Sequence, residues 1–175
     1  MGEAGIFSED DRVELIDGEV VEMAPIGDRH IESVMRLTRL LSRWAFGTGE
    51  AADLFVSVQN PLALGEHGEP QPDLTLVRRR RDRSGTPVPE EVLLVVEVAD
   101  TSLTCDRERK LPLYAEAGIP EAWLVDLNAG TIEMYSEPGP NGYGRVARFG
   151  CERRVVSVTV PGLAFDAAEA LPPER

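Results

Sequence analysis

The run Val92-Leu93-Leu94-Val95-Val96-Glu97-Val98-Ala99 constrains this chain more than any other stretch. Its first five residues are all apolar, which predicts a buried central strand rather than one with a solvated face. Glu97 then appears without ending the run. A carboxylate at the end of a buried strand costs several kcal/mol unless it is paired, protonated or bound to a metal. Thirteen residues further on stands Lys110, the only lysine; the other 17 basic residues are all arginine. Arginine is a rigid fork and lysine a compact point charge on a flexible stem. Either this position requires an ammonium, or an arginine-biased composition has left one lysine by chance.

A chain of 175 residues suits one domain, residues 1–175, able to bury roughly 70% of its unfolded surface. The net charge of −13 argues against a general nucleic-acid coat protein, because such binding needs cations against phosphates. It does not exclude a nuclease that carries a local basic strip and recruits divalent cations. Cys105 and Cys151 are too few for a disulfide framework and lack metal-site spacing, so reduced thiols are expected. The start, MGEAGIFSEDD, has no signal-peptide core, and no run reaches membrane-spanning length. The expectation is a cytoplasmic protein without membrane contact.

Met1–Asp11 reads as a polar leader. Two β-type runs, RVELI and EVVEM, flank Asp17-Gly18, a strong hairpin signal because both turn positions favour positive φ. Glu14 lies mid-strand in the first run. Asp28 can cap a helix to about Phe46, with Ile31, Val34, Leu37, Leu41 and Trp44 as its apolar stripe. His30 in its first turn suits packing, catalysis or phosphate binding. Further strands are expected at 52–58, 71–77, 121–126, 131–136, 143–149 and 153–160, with an exposed loop at 64–70 and a turn or short helix at 163–171. Asp73 follows Pro72 at a strand start. Arg78, Arg79, Arg80 and Arg81 open the densest positive cluster, either a solvated loop tip or a phosphate-contacting patch. A helix is expected over 104–117 with Gly118 as its stop, and Pro112 predicts a kink or a late start near Lys110.

Asp73 and Glu97, with Glu14 upstream and Lys110 behind them, are the candidate chemistry. Neighbouring carboxylates repel one another, and a hard divalent ion relieves this through oxygen ligands while keeping waters for reaction. Such an ion activates water and stabilises charge on phosphate. A nearby lysine positions the water or stabilises negative charge in the transition state.

Pro-Asp, then Glu on a following strand, then a basic residue resembles the PD-(D/E)XK restriction-endonuclease-like nucleases. ELIDGEVVEMAP, QPDLTLV, VVEVADTS, DRERKLPLYAEAGIPEAWLVD and PGLAFD together look like the Uma-type endonuclease family, from about Arg12 to Asp166. The resemblance implies an α/β restriction-endonuclease-like core, a mixed β-sheet flanked by helices and preceded by a β-hairpin. It implies that Asp73 and Glu97 bind Mg2+ or Mn2+, with the Val98 carbonyl as a further ligand. It also implies that Lys110 replaces the basic residue usually two positions after Glu97, where this chain has Ala99. Glu14 would be auxiliary, and His30 matches a family histidine. Asp106 and Tyr114 also match, though capping and packing account for them.

The leading expectation is a metal-dependent endonuclease acting on DNA, with Asp73, Glu97, Lys110 and Glu14 catalytic. His30, Arg78, Arg79, Arg80 and Arg81 would contact nucleic acid, and a homodimer is compatible with this. The rival is a catalytically silent nucleic-acid- or protein-binding module. A third reading is a structural oligomer using a sheet edge or Trp44 and Trp123.

Overall fold

The computed structural model describes residues 13–23, 25–47, 53–65, 68–78 and 85–173. The Met1–Asp11 leader and the arginines at 79–81 lie outside the described residues. The expected hairpin forms as β1 (Val13–Ile16) and β2 (Glu19–Glu22). Its turn residues Asp17 and Gly18 have φ of 52° and 75°, as a primed two-residue turn requires.

A mixed six-stranded sheet follows in the order β3-β4-β5-β6-β7-β8. These strands are Leu54–Val58, Leu74–Arg78, Val92–Ala99, Glu121–Asp126, Thr131–Gly139 and Gly142–Gly150. β5 and β6 pair in parallel, and every other neighbouring pair is antiparallel. The parallel pair needs a crossover, supplied by the helical run between them. Alternation along β5 sends Leu94, Val96 and Val98 to one apolar cluster and Val95 and Ala99 to the other, which places Glu97 on the second face.

The first face is covered by α1 (Asp28–Gly47), which buries Val34, Leu37, Leu40, Leu41 and Ala45. Each fully buried leucine contributes roughly 1.5–3 kcal/mol. The expected stripe is off by part of a turn at its start: Ile31 is 46% exposed, while Ser33 is buried with its hydroxyl on the Ala170 carbonyl. The C-terminal segment seals the same face. There the expected strand 153–160 shortens to β9 (Arg154–Val156), paired with β10 (Ala164–Asp166). Trp123 is fully buried and packs on Phe165 with ring centroids 5.5 Å apart, so it supplies no surface for an oligomer. Trp44 is partly buried and bonds the Pro161 carbonyl.

The second face is covered by one helical run: α2 (Leu103–Cys105), a π turn (Asp106–Lys110) and α3 (Leu111–Glu116). Of the two expected outcomes, a kink or a late start near Lys110, the late start does not form, and the helix is instead irregular at that point. The chain is helical from Leu103, and the π turn takes up the proline before α geometry resumes at Leu111. At the other end Gly118, at φ 77°, closes the helix as expected; its amide reaches the Ala115 carbonyl and the Ile119 amide reaches Tyr114. Of the expected exposed loop at 64–70, the described residues are partly tied down. Gly68 and Pro70 are buried, Leu62 and Leu64 bond back to Pro70 and Gly68, and Glu69 pairs with Leu15.

Candidate active site

Asp73 stands one residue before β4. The β4–β5 register pairs Leu74 with Val96 and Thr75 with Val95, and one further step brings Asp73 opposite Glu97 on the same face. Both carboxylates line a cavity of about 360 Å3. The Val98 amide donates to Asp73 Oδ2 at 2.8 Å, His30 Nε2 lies 2.9 Å from Oδ1, and Gln59 reaches the same oxygen at 3.3 Å. His30 is held there because α1 begins at the cavity rim, where Gly27 also lines the wall. Its Nδ1 is buried without a partner among the described residues.

Lys110 enters from the π turn with its Nζ 3.0 Å from Glu14, 3.4 Å from Asp106 and 3.5 Å from Glu97. Three carboxylates thus surround one ammonium, which donates a hydrogen bond to Glu97 and pairs by charge with Glu14 and Asp106. Tyr114, one turn further on, donates its hydroxyl to the other Glu97 oxygen at 2.5 Å. Glu14 is carried by the hairpin and also accepts the Gln71 amide at 2.7 Å. Arg109 helps hold the hairpin through the Ile16 carbonyl and Glu19. Ser102 donates to Asp106 at 2.5 Å.

The cavity is therefore crowded with negative charge. Glu14, Glu22, Asp73, Glu97, Asp100 and Asp106 line it, against Lys110 and His30. Burial pushes the Glu97 carboxyl well above the usual range; Lys110 opposes this, while Asp106, Asp73 and Glu14 add to it. Burial also raises Asp106, against the pull of Lys110 and the Ser102 hydroxyl. Burial works against the charge on Lys110, but Glu97, Asp106 and Glu14 overcome it, so the ammonium holds its proton more tightly than an ordinary lysine.

The structure thus gathers Glu14, His30, Asp73, Glu97, Val98 and Lys110 around one cavity. It does not bring Arg78 there. That residue is exposed at the far end of β4, roughly 17 Å from Asp73 at a strand's rise per residue. Asp106 and Tyr114, read from sequence as capping and packing, also reach the cluster: Asp106 pairs with Lys110, and Tyr114, packed in the core as expected, donates to Glu97. The signal for them was the spacing: residues 106, 110 and 114 recur every four positions, one helical face.

The sequence matches the family described as "Uma2: Putative restriction endonuclease" over residues 3–168. The chain belongs to the Uma2 family. Among solved structures it is similar to a "putative nuclease belonging to DUF820 from Anabaena variabilis ATCC 29413", with 12% identity and a TM-score of 0.74, covering 96% of this chain and 94% of that one. At that identity the likeness is one of fold. It also matches the type IIG restriction endonuclease BpuSI at 20% identity and a TM-score of 0.45, covering 72% of this chain and 14% of that one. No curated protein matches the sequence. The Uma2 assignment agrees with the mixed sheet, the leading hairpin and the helix-covered faces.

Among the described residues no three His, Cys, Asp or Glu side chains converge as a ready-made metal cage. Magnesium does not need one. It binds through one or two carboxylates and keeps several waters. Asp73 and Glu97 offer hard oxygen donors, each carboxylate having about four acceptor positions. The surplus of acid over base around them suits a divalent cation, and this donor set fits Mg2+ or Mn2+.

Proposed function

We propose that this Uma2 chain is a metal-dependent endonuclease that hydrolyses phosphodiester bonds in DNA. The observation that supports it most is the meeting of Asp73 and Glu97 on adjacent strands in one cavity, with the ammonium of the only lysine beside them. Asp73 and Glu97 would hold Mg2+ or Mn2+, with the Val98 carbonyl as a candidate third protein oxygen. When bound, the ion supplies an activated water and stabilises charge developing on the phosphate.

The chain's own residues have separable parts. His30 and the Val98 amide fix Asp73 from two sides. Tyr114 fixes Glu97, and Glu14 with Asp106 anchors Lys110. Held among three carboxylates, Lys110 would contribute its positive charge near the reacting phosphate. Plasmid nicking with Mg2+, Mn2+ or chelator, using wild type, Asp73→Asn and Lys110→Met, tests the proposal. Metal-dependent nicking abolished by Asp73→Asn is expected, and intact plasmid with both metals at every salt concentration would overturn it.

The pairing of Lys110 with three buried carboxylates also favours a second reading, a catalytically silent binding module in which the cluster is purely structural. That reading expects no heat of Mg2+ binding by calorimetry, and nucleic-acid affinity indifferent to Asp73→Asn.

A further inference from the structure

We propose that Pro112 is a positioning residue for Lys110: by forcing the π turn at Asp106–Lys110 it places the ammonium among its acids. An α-helix through this segment would need the amide of residue 112 to bond the Glu108 carbonyl, and proline has no such amide. Its ring would also press on that carbonyl. The structure avoids both problems by widening the turn before it. The Leu111 amide bonds the Asp106 carbonyl, five residues back, and Leu111 keeps helical angles of φ −57° and ψ −42°.

What stands on each side of this turn makes its width matter. Before Lys110, Asp106 is bonded to Ser102, and Arg107 donates to the buried Glu133 at 3.1 Å. After it, Leu111, Tyr114 and Ala115 are sunk in the core beneath the sheet. Lys110 pairs by charge with Asp106 on one side of the turn and bonds, on the other, the same Glu97 that Tyr114 holds. Tightening the turn to α geometry takes out one residue's advance, about 100° of rotation between the two sides. Lys110 then loses at least one of its acids. Sequence separates the proline from the lysine by one residue, so cause and effect sit within a single turn.

The lone lysine makes the test direct. In protein labelled with 15N-lysine, a single ammonium signal reports Lys110, and its shift and solvent exchange report its partners. Pro112→Ala restores a helix-forming residue with an amide, so the variant is expected to fold. Its ammonium signal should move toward that of a solvated lysine, and the new amide at position 112 should be protected from exchange. An ammonium signal and turn unchanged from wild type would overturn the proposal. A kinetic arm rests on the nuclease reading: kcat for nicking should fall about 100-fold with KM little changed. A loss of activity matched by loss of folded protein would also overturn it. If wild type nicks no DNA, the nuclease reading fails while the ammonium signal still decides this one.

Discussion

Glu97 and Glu121 are buried carboxylates on neighbouring strands, and they are satisfied in opposite ways. Glu121 is fully buried and holds only uncharged donors: Trp123 Nε1 at 2.6 Å on one oxygen, and on the other the Ser157 hydroxyl, the Val158 and Thr159 amides and the Thr159 hydroxyl, all within 3.0 Å. These donors tie the turn after β9 to the sheet. Glu97 is 2% exposed, holds Tyr114 and a shared lysine, and faces three further acids beside a cavity. One site uses a carboxylate to close the fold, and the other gathers negative charge that the fold leaves under-compensated. Burial alone does not distinguish them. Like-charge crowding beside open space does.

The same substitution at both positions should therefore give opposite results. Glu97→Gln is expected to reduce nicking by at least about 10²–10³-fold, with a stability equal to or above wild type, because it removes charge from a crowded site. An active Glu97→Gln protein would break the comparison. Glu121→Gln must turn its NH2 group toward donors on one side or the other, and should lose about 3 kcal/mol in urea unfolding. Its folded fraction should retain wild-type kcat. Wild-type stability in Glu121→Gln would show that the donor set around it is not a staple.

Much of this contrast was legible in the sequence, and the illegible part has a physical cause. Glu97 announced itself because an acid inside an apolar run is unfavourable without a partner, and Lys110 because it is the only lysine. The Asp17-Gly18 turn specified the hairpin that carries Glu14. Glu121 gave no comparable sign, because its partners Ser157 and Thr159 lie 36 and 38 residues away and polar residues in a late loop have no periodicity to read. Ile31 misled because apolar spacing marks a stripe but not where the stripe first meets the sheet. His30 was readable as a first-turn helix residue suited to packing, catalysis or phosphate binding, but its bond to Asp73 joins α1 to the start of β4 and exists only in three dimensions.

The comparison also has a pH signature. Burial and neighbouring acids raise Glu97, and burial raises Asp106, above their ordinary values of 4.5 and 3.8. A carboxyl raised on folding contributes stability that is fully present below its unfolded pKa and is lost as pH climbs through the folded one. The contribution of Glu97 to the stability of metal-free wild type should therefore fall as pH rises above about 4.5, the ordinary glutamate value. Glu97→Gln should lose less over the same range. Urea midpoints at several pH values in chelator measure the divergence, and parallel curves for the two proteins would contradict it.

The smallest effect separates the two carboxylates one hydroxyl at a time. Tyr114→Phe removes the hydroxyl that donates to Glu97 and leaves that oxygen facing apolar core, so it should cost about 1.5–3 kcal/mol. Thr159→Val removes one of four donors from a single Glu121 oxygen. Ser157, the Val158 amide and the amide of residue 159 remain, and residue 159 is exposed, so the loss should be about 0.5–1 kcal/mol. Mg2+ should restore part of the stability lost by Tyr114→Phe, since a cation at Glu97 replaces the missing compensation, and none of that lost by Thr159→Val. Equal rescue of both variants would mean that the metal stabilises the fold at large, and the distinction between a closing carboxylate and a working one would have to rest on kinetics alone.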